Sequence, residues 1–194
     1  MTTTEQPAAT KRSRPKDRRE QILRQAFTLI STSGFNAVSL ADIAKASGIQ
    51  KSSVLHHFPS MNDLLLAVLN LREEEDAVFY LQSADDATEP SPASARLQMT
   101  RVFEHNLERP GFSRLYSVLN AESLAPEHPA HQYFADRERN SRAEMARLLA
   151  WKPQPELAAA EFLSFWSGLE MSSHHDPDLD VMAVWNTFCD RFFA

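Results

Sequence analysis

Residues 39–58 read Ser-Leu-Ala-Asp-Ile-Ala-Lys-Ala-Ser-Gly-Ile-Gln-Lys-Ser-Ser-Val-Leu-His-His-Phe, and this stretch describes two short helices joined by a tight turn. Ser39 stands three residues before Asp42, the spacing of a capping box that satisfies free amide donors at a helix start. Leu40, Ile43 and Ala44 then share one helical face. Gly48 follows, where the chain needs a residue that tolerates positive φ. A second helix runs from about Gln50 to His57, anchored inward by Ile49, Val54 and Phe58. Small Ala44 lets the two helices cross closely, and polar Gln50, Lys51, Ser52 and Ser53 are left outside. This is the layout of a helix-turn-helix, whose second helix enters the DNA major groove with its N-terminal side chains.

The flanks extend the pattern. A helix is expected over about Lys16 to Ser33, with Leu23, Ala26, Phe27 and Ile30 at i, i+3, i+4, i+7 and Arg18, Arg19 and Arg24 off that stripe. Gly34 stops it, and Phe35 and Val38 pack beneath the helix-turn-helix. Pro59 and Ser60 end the second short helix. Ser60 and Asp63 form another capping box, opening a helix through Leu64, Leu65, Val68, Leu69 and Leu71 to about Gln82. Gly34-Phe35, Ile43-Ala44, Gly48-Ile49, His57-Phe58 and Leu64-Leu65, taken together at this spacing, resemble the amino-terminal pattern of the TetR family of transcriptional regulators. The resemblance covers about Lys16 to Leu71; beyond that it rests on an all-helical layout.

Charge is distributed to match. The chain of 194 residues carries a net charge of −6, which by itself argues against nucleic acid. Residues 1–62, however, hold nine Lys/Arg against four Asp/Glu, a balance of +5, and residues 63–194 a balance of −11. One DNA-facing end on an acidic body fits this asymmetry. With four glycines and no alternation at period two, almost no sheet is expected. Cys189 is the single cysteine, so no internal disulfide framework exists and a reducing compartment, the cytoplasm, is the simplest setting. No apolar run is long enough to span a membrane, and no secretion signal is recognisable.

The second half reads as further helices. Ser83 to Pro92 forms a loop, followed by helices over about Ser94–Glu108, Phe112 to before Pro126, and from Pro129 at a first helical position to about Ala150. The last two, about Pro155–Ser173 and Leu179–Phe193, are apolar on more than one face. Asp176 or Asp178 is the expected N-cap of the last one. Gly168, costly inside a helix, suggests a close helix crossing. Trp166, Leu169, Trp185, Phe188 and Phe192 exceed what one small bundle enclosing a pocket is expected to bury.

The resemblance implies an all-α fold: a three-helix DNA-binding domain with a helix-turn-helix, then a helical ligand-binding and dimerisation domain. The boundaries are a disordered basic arm at 1–15, the DNA-binding domain at 16–76, and the effector-binding and dimerisation domain at 77–194. It implies a ligand-responsive repressor, released from a pseudo-palindromic operator on double-stranded DNA by a small-molecule effector. In that family the last two helices pair with their copies in a homodimer; here the interface candidates are Phe165, Leu169, Trp185, Phe188 and Phe192. Candidates for a pocket are Phe103, His105, Phe112, Tyr116, Phe134, Phe162 and Trp166.

The DNA-binding candidates are Arg18, Ser39, Gln50, Lys51, Ser52, Ser53, His56 and His57. Gln can pair adenine bidentately, Lys can reach guanine, and Ser can read either base. The chain departs from the family in four places. Gln50 replaces a serine N-cap and Ser52 a glycine. Leu55 and Met61 replace a tyrosine and a lysine that serve the phosphates, so Lys11, Arg12, Arg14, Lys16, Arg18 and Arg19 are the upstream substitutes. Two rival readings stand beside this one. The first is a helical DNA-bound or interaction protein of the same fold without an effector. The second is a metalloenzyme using His174-His175-Asp176 or His128-x-x-His131, although loop positions beside prolines make capping the simpler role. There is no phosphate loop, HExxH pair or nucleophile elbow, so neither an enzyme nor a cofactor or metal is expected.

Overall fold

In the computed structural model, which describes residues 15–83 and 91–194, every regular element among the described residues is an α-helix. The chain runs α1 (Pro15–Ser33), α2 (Leu40–Ala46), α3 (Lys51–His57), α4 (Met61–Ser83), α5 (Pro92–Leu107), α6 (Pro110–Glu122), α7 (His131–Leu148), α8 (Pro155–His175) and α9 (Val181–Phe192). The arm assigned to residues 1–15 and most of the loop before Pro92 lie outside the described residues, except that α1 opens at Pro15.

Caps fix the helix starts. The Ser39 hydroxyl accepts the Asp42 N–H, and the Asp42 carboxylate accepts the Ser39 N–H, closing the reciprocal box. Ser60 accepts the Asp63 N–H at 3.1 Å and donates its hydroxyl to that carboxylate at 2.7 Å. Ser91 and Ser94 build a third box, with Pro92 at the start of α5. Two sequence expectations fail here. Pro129 does not begin α7. The chain turns through Ala130, whose N–H is accepted by His128 Nδ1 at 3.2 Å, and the helix starts at His131. Asp180, not Asp176 or Asp178, caps α9 by accepting the Ala183 N–H at 2.9 Å, so that helix begins two residues later than expected. Asp176 instead accepts the Asp178 N–H within the α8–α9 loop.

Apolar burial gathers into two cores. The first joins Ile22, Leu23, Ala26 and Ile30 of α1 to Ile43, Val54, Phe58, Leu64, Leu65 and Leu69. It also takes in Leu115 and Leu119 of α6 and Phe134 of α7. The boundary at 76/77 thus falls inside α4, and the first core draws on α6 and α7, beyond it. The second core joins α5, the end of α7, α8 and α9 through Val102, Phe103, Leu149, Phe162, Trp185 and Phe192. Helix α6 packs on α1, α5 and α8, and so touches both bodies.

The second core corrects the reasoning about the interface. Trp185 is 0 % exposed, Leu169 5 %, Phe192 7 % and Phe188 9 % within one chain. Trp185 stacks on Phe103 with ring centroids 4.3 Å apart, and its indole N–H donates to Thr100 Oγ1 at 3.0 Å. Phe165 stacks on Phe188 at 3.7 Å, and Phe188 on Phe192 at 5.0 Å. A single copy can bury these rings because α5 and the end of α7 cover the inner faces of α8 and α9, an arrangement that helix periodicity does not report. Gly168 is exposed, and a Cβ there would meet nothing within 4 Å, so it marks no close crossing inside the chain.

Candidate nucleic-acid interface

The helix-turn-helix is set by what its apolar side chains do. Ile43 and Val54 are fully buried, Ala44 nearly so, and they lock α2 against α3. Gly48 takes φ +64, and a Cβ there would meet nothing within 4 Å, so glycine is needed for backbone conformation alone. Across the turn, Gln21 Nε2 of α1 donates to the Ser47 carbonyl at 3.0 Å, tying the first helix to the turn. Leu40 and Ile49 fill in around these contacts.

With the inner side locked, Gln50, Lys51, Ser52, Ser53 and His56 are all exposed at and beyond the start of α3, and His57 is half-buried. Gln50 occupies the N-cap position with no side-chain capping bond. The Ser53 N–H already donates to the Gln50 carbonyl at 2.9 Å, which leaves the Lys51 and Ser52 amides and the Gln50 side chain to an incoming phosphate or base edge. Ser39 is exposed, but its hydroxyl is engaged in the α2 cap; its hydrogen bonds hold the Asp42 carboxyl below the usual carboxylate range. Arg18 is half-buried and donates to Gln21 at 3.3 Å. The Arg19 guanidinium lies 5.1 Å above the Phe58 ring. Burial lowers the His57 pKa below its ordinary value of 6.5, and neighbouring His56, Arg19 and Arg18 push the same way. Leu55 is 40 % exposed, whereas Met61 packs on the first core.

Two groups escaped the sequence reading. Lys45, exposed in the last turn of α2, adds a cation to the same motif. Glu122, at the end of α6, reaches the chain just after α1 and accepts from Phe35 N–H at 2.8 Å and Asn36 Nδ2 at 3.3 Å. Lys45 could have been found by charge alone. Glu122 carries no local signal, because its partners lie 87 and 86 residues away.

The pocket candidates do not converge on one surface. Phe103 and Phe162 are fully buried in the second core, with Trp166 partly exposed beside them at 5.1 Å from Phe103. Phe134 belongs to the first core, and Tyr116 packs against it. Phe112 meets Phe27 of α1 at 4.4 Å. The Tyr116 and Tyr133 hydroxyls are 2.6 Å apart; burial first, then Tyr116, raises the Tyr133 pKa well above its usual value. His105 stacks on Phe79 at 3.8 Å. A polar seam runs along α8, where Asn106 of α5 donates to Glu170 at 3.1 Å and Ser113 Oγ of α6 lies 3.2 Å from His174 Nε2.

His131 and His175 are occupied locally. His131 Nδ1 meets the Ser123 carbonyl at 2.8 Å and His175 Nδ1 the Met171 carbonyl at 3.0 Å. Among the described residues, no group of three or more His, Cys, Asp or Glu is placed to hold a metal ion. No helix among them is long and apolar enough to cross a membrane.

Comparison with known proteins agrees with this geometry. Residues 22–68 match the sequence model of the bacterial regulatory proteins of the tetR family. Over 80 residues the chain is 38 % identical to the HTH-type transcriptional repressor KstR2 of Mycolicibacterium smegmatis, covering 40 % of this chain and 38 % of that one. Over 110 residues it is 33 % identical to the HTH-type transcriptional regulator EthR of the same organism, covering 54 % and 48 %. The chain thus spans less than half the length of these two relatives. A crystal structure of a TetR-family transcriptional regulator from Agrobacterium tumefaciens superposes with a TM-score of 0.75 at 19 % identity, over 92 % of this chain and 98 % of the other. At that identity it is the fold that is shared.

Proposed function

We propose that this chain, which belongs to the tetR family of bacterial regulatory proteins through its residues 22–68, is a ligand-responsive DNA-binding transcriptional repressor and not an enzyme. The observation that carries the reading is the exposed run Gln50–Ser53 at the start of α3, presented by a helix-turn-helix whose other side is locked into a core. Residues 16–76 are the reading part in this proposal, and residues 77–194 the effector-binding and pairing part. Two copies related by a two-fold axis would place two α3 helices in successive major grooves, about 34–36 Å or a multiple apart. The operator would then be a pseudo-palindrome on double-stranded DNA, in the cytoplasm. A small-molecule effector would favour the conformer whose α3 spacing no longer matches, acting only through its differential affinity for the two states. The partly exposed His105, Tyr116 and Trp166, near the polar seam, are better placed to meet it than the sealed rings of Phe103 and Phe162.

Selection of duplexes from a randomised pool by the full chain tests the reading, followed by affinity measurements with Lys51→Ala. The expected result is an enriched pseudo-palindrome on which Lys51→Ala binds more weakly. If Lys51 holds a phosphate, the loss shrinks as salt rises; if it reads a base, specificity relaxes at one position by ~1–3 kcal/mol. A pool with no enriched sequence would remove the function, and unchanged affinity would remove Lys51 from the interface.

A further inference from the structure

A carboxylate ties the end of α6 to the turn after α1. Gly34 ends α1 with φ +84, and its own N–H closes on the Ile30 carbonyl at 2.9 Å. A helix C-terminus ordinarily repels an anion. Here the left-handed glycine turns the chain, and the N–H groups that follow it make a small anion-accepting concavity. Glu122 fills it from α6: Oε2 accepts the Phe35 N–H at 2.8 Å, and Oε1 lies 3.5 Å from the Asn36 N–H and 3.3 Å from the Asn36 side-chain Nδ2. Oε1 would sit 2.6 Å from a Cβ placed on Gly34, so the carboxylate occupies the space that any side chain there would need. Only three residues separate Asn36 from Leu40, where α2 begins.

Helix α6 is thirteen residues long. At its start Ser113, 8 % exposed, lies 3.2 Å from His174 Nε2 of α8, and at its end Glu122 holds the turn after α1. One straight element therefore has one end on the body of α8 and the other on the reading head. We propose that Glu122 is a positioning residue, whose carboxylate latches the helix-turn-helix to α6 and sets the angle at which α3 is presented. A hydrogen bond weakens steeply past about 3.2 Å, so a shift of α6 by roughly 1 Å would open the 2.8 Å bond to Phe35. The latch is a line of communication that runs through backbone N–H groups. It rests on the regulator reading only for its consequence on DNA.

Two readouts test it. The first is the distance between spin labels at Ala41→Cys on α2 and Ala143→Cys on α7, both exposed, in a Cys189→Ser background with labelled copies diluted in unlabelled ones. A narrow distribution is expected for the otherwise unaltered chain and for Glu122→Gln, which keeps an oxygen at the same reach. A broad one is expected for Glu122→Ala and for Gly34→Ala, which blocks the carboxylate from the other side. A narrow, unshifted distribution in either of the last two would overturn the latch. If Glu122→Ala does not fold, Gly34→Ala against Glu122→Gln decides alone. The second readout is affinity for selected duplexes whose half-sites are moved apart by one or two base pairs. The unaltered chain should discriminate among them, and Glu122→Ala should lose about tenfold on the preferred spacing while its preference flattens and its salt slope stays the same. A preference as sharp as that of the unaltered chain would overturn the proposal. Should no duplex be selected at all, the regulator reading falls and the label distances still decide the latch.

Discussion

Gly48 is the residue on which the turn of the helix-turn-helix depends most directly. Its φ of +64 lies in the left-handed region, and a Cβ would meet nothing within 4 Å. Gly48→Ala should therefore cost only the backbone penalty, roughly 1–2 kcal/mol, in chemical denaturation, with no packing loss. A cost well above that would mean the turn is sterically crowded after all. His57 carries a second expectation. Its folded pKa lies below 6.5 because burial and the cations Arg18 and Arg19 disfavour its charged form. A phosphate brought beside it would raise that pKa, so DNA binding takes up a proton over the interval between the two values. Affinity should rise as pH falls toward the free-state pKa, which lies below 6.5, and level off beneath it. His57→Gln should flatten this dependence; an unchanged pH profile in that variant would place His57 away from the phosphates.

At the scale of elements, α8 and α9 have two different faces. The inner one is the aromatic packing around Phe162 and Trp185. The outer one carries Leu157, 65 % exposed, Met171 at 40 %, Val184 at 36 % and the uncovered Gly168. If these helices pair with a second copy, the outer face is the one that meets it. Phe188→Glu would bury a charge beside Phe165 and Phe192 and unfold the second core, so it does not test pairing. Val184→Glu does. We expect it to give a helical monomer with the unaltered chain's near-ultraviolet signature, seen by sedimentation at micromolar concentration, and weakened operator binding. A Val184→Glu protein that still sediments as a dimer would move the interface off α9.

For the whole molecule, the charge asymmetry matters more than the total. A net charge of −6 would keep a uniformly charged chain away from DNA. The basic end offers Arg18, Arg19, Arg24, Lys45 and Lys51 on α1, α2 and α3, while the acidic excess lies in residues 63–194. Binding to the selected duplex should weaken linearly on a log–log plot of affinity against salt, because cations that neutralise phosphates release counterions. A flat plot would mean the basic end does not carry the contact. Leu55 and Met61 offer no hydrogen-bonding group to a phosphate, so the slope is expected to depend on residues upstream of Gln21.

By itself the sequence determined the helix-turn-helix, because that motif is a local object. Its capping box spans Ser39 to Asp42, its turn glycine is Gly48, and its core anchors fall within twenty residues, so period, cap and turn chemistry all point to one arrangement. The four capping and turn features of the N-terminal part, at Gly34, Ser39, Gly48 and Ser60, are where the sequence placed them. The tertiary structure alone decided which side of an apolar helix is inside. Trp185 and Phe188 looked like surplus hydrophobic area, yet α5 supplies Phe103 and Thr100 from more than eighty residues away to cover the indole. It also decided that α6 belongs to both bodies, and that Glu122 closes on Phe35 across 87 residues. Periodicity reports that a helix has an apolar stripe; which neighbour covers it depends on how all the helices pack at once.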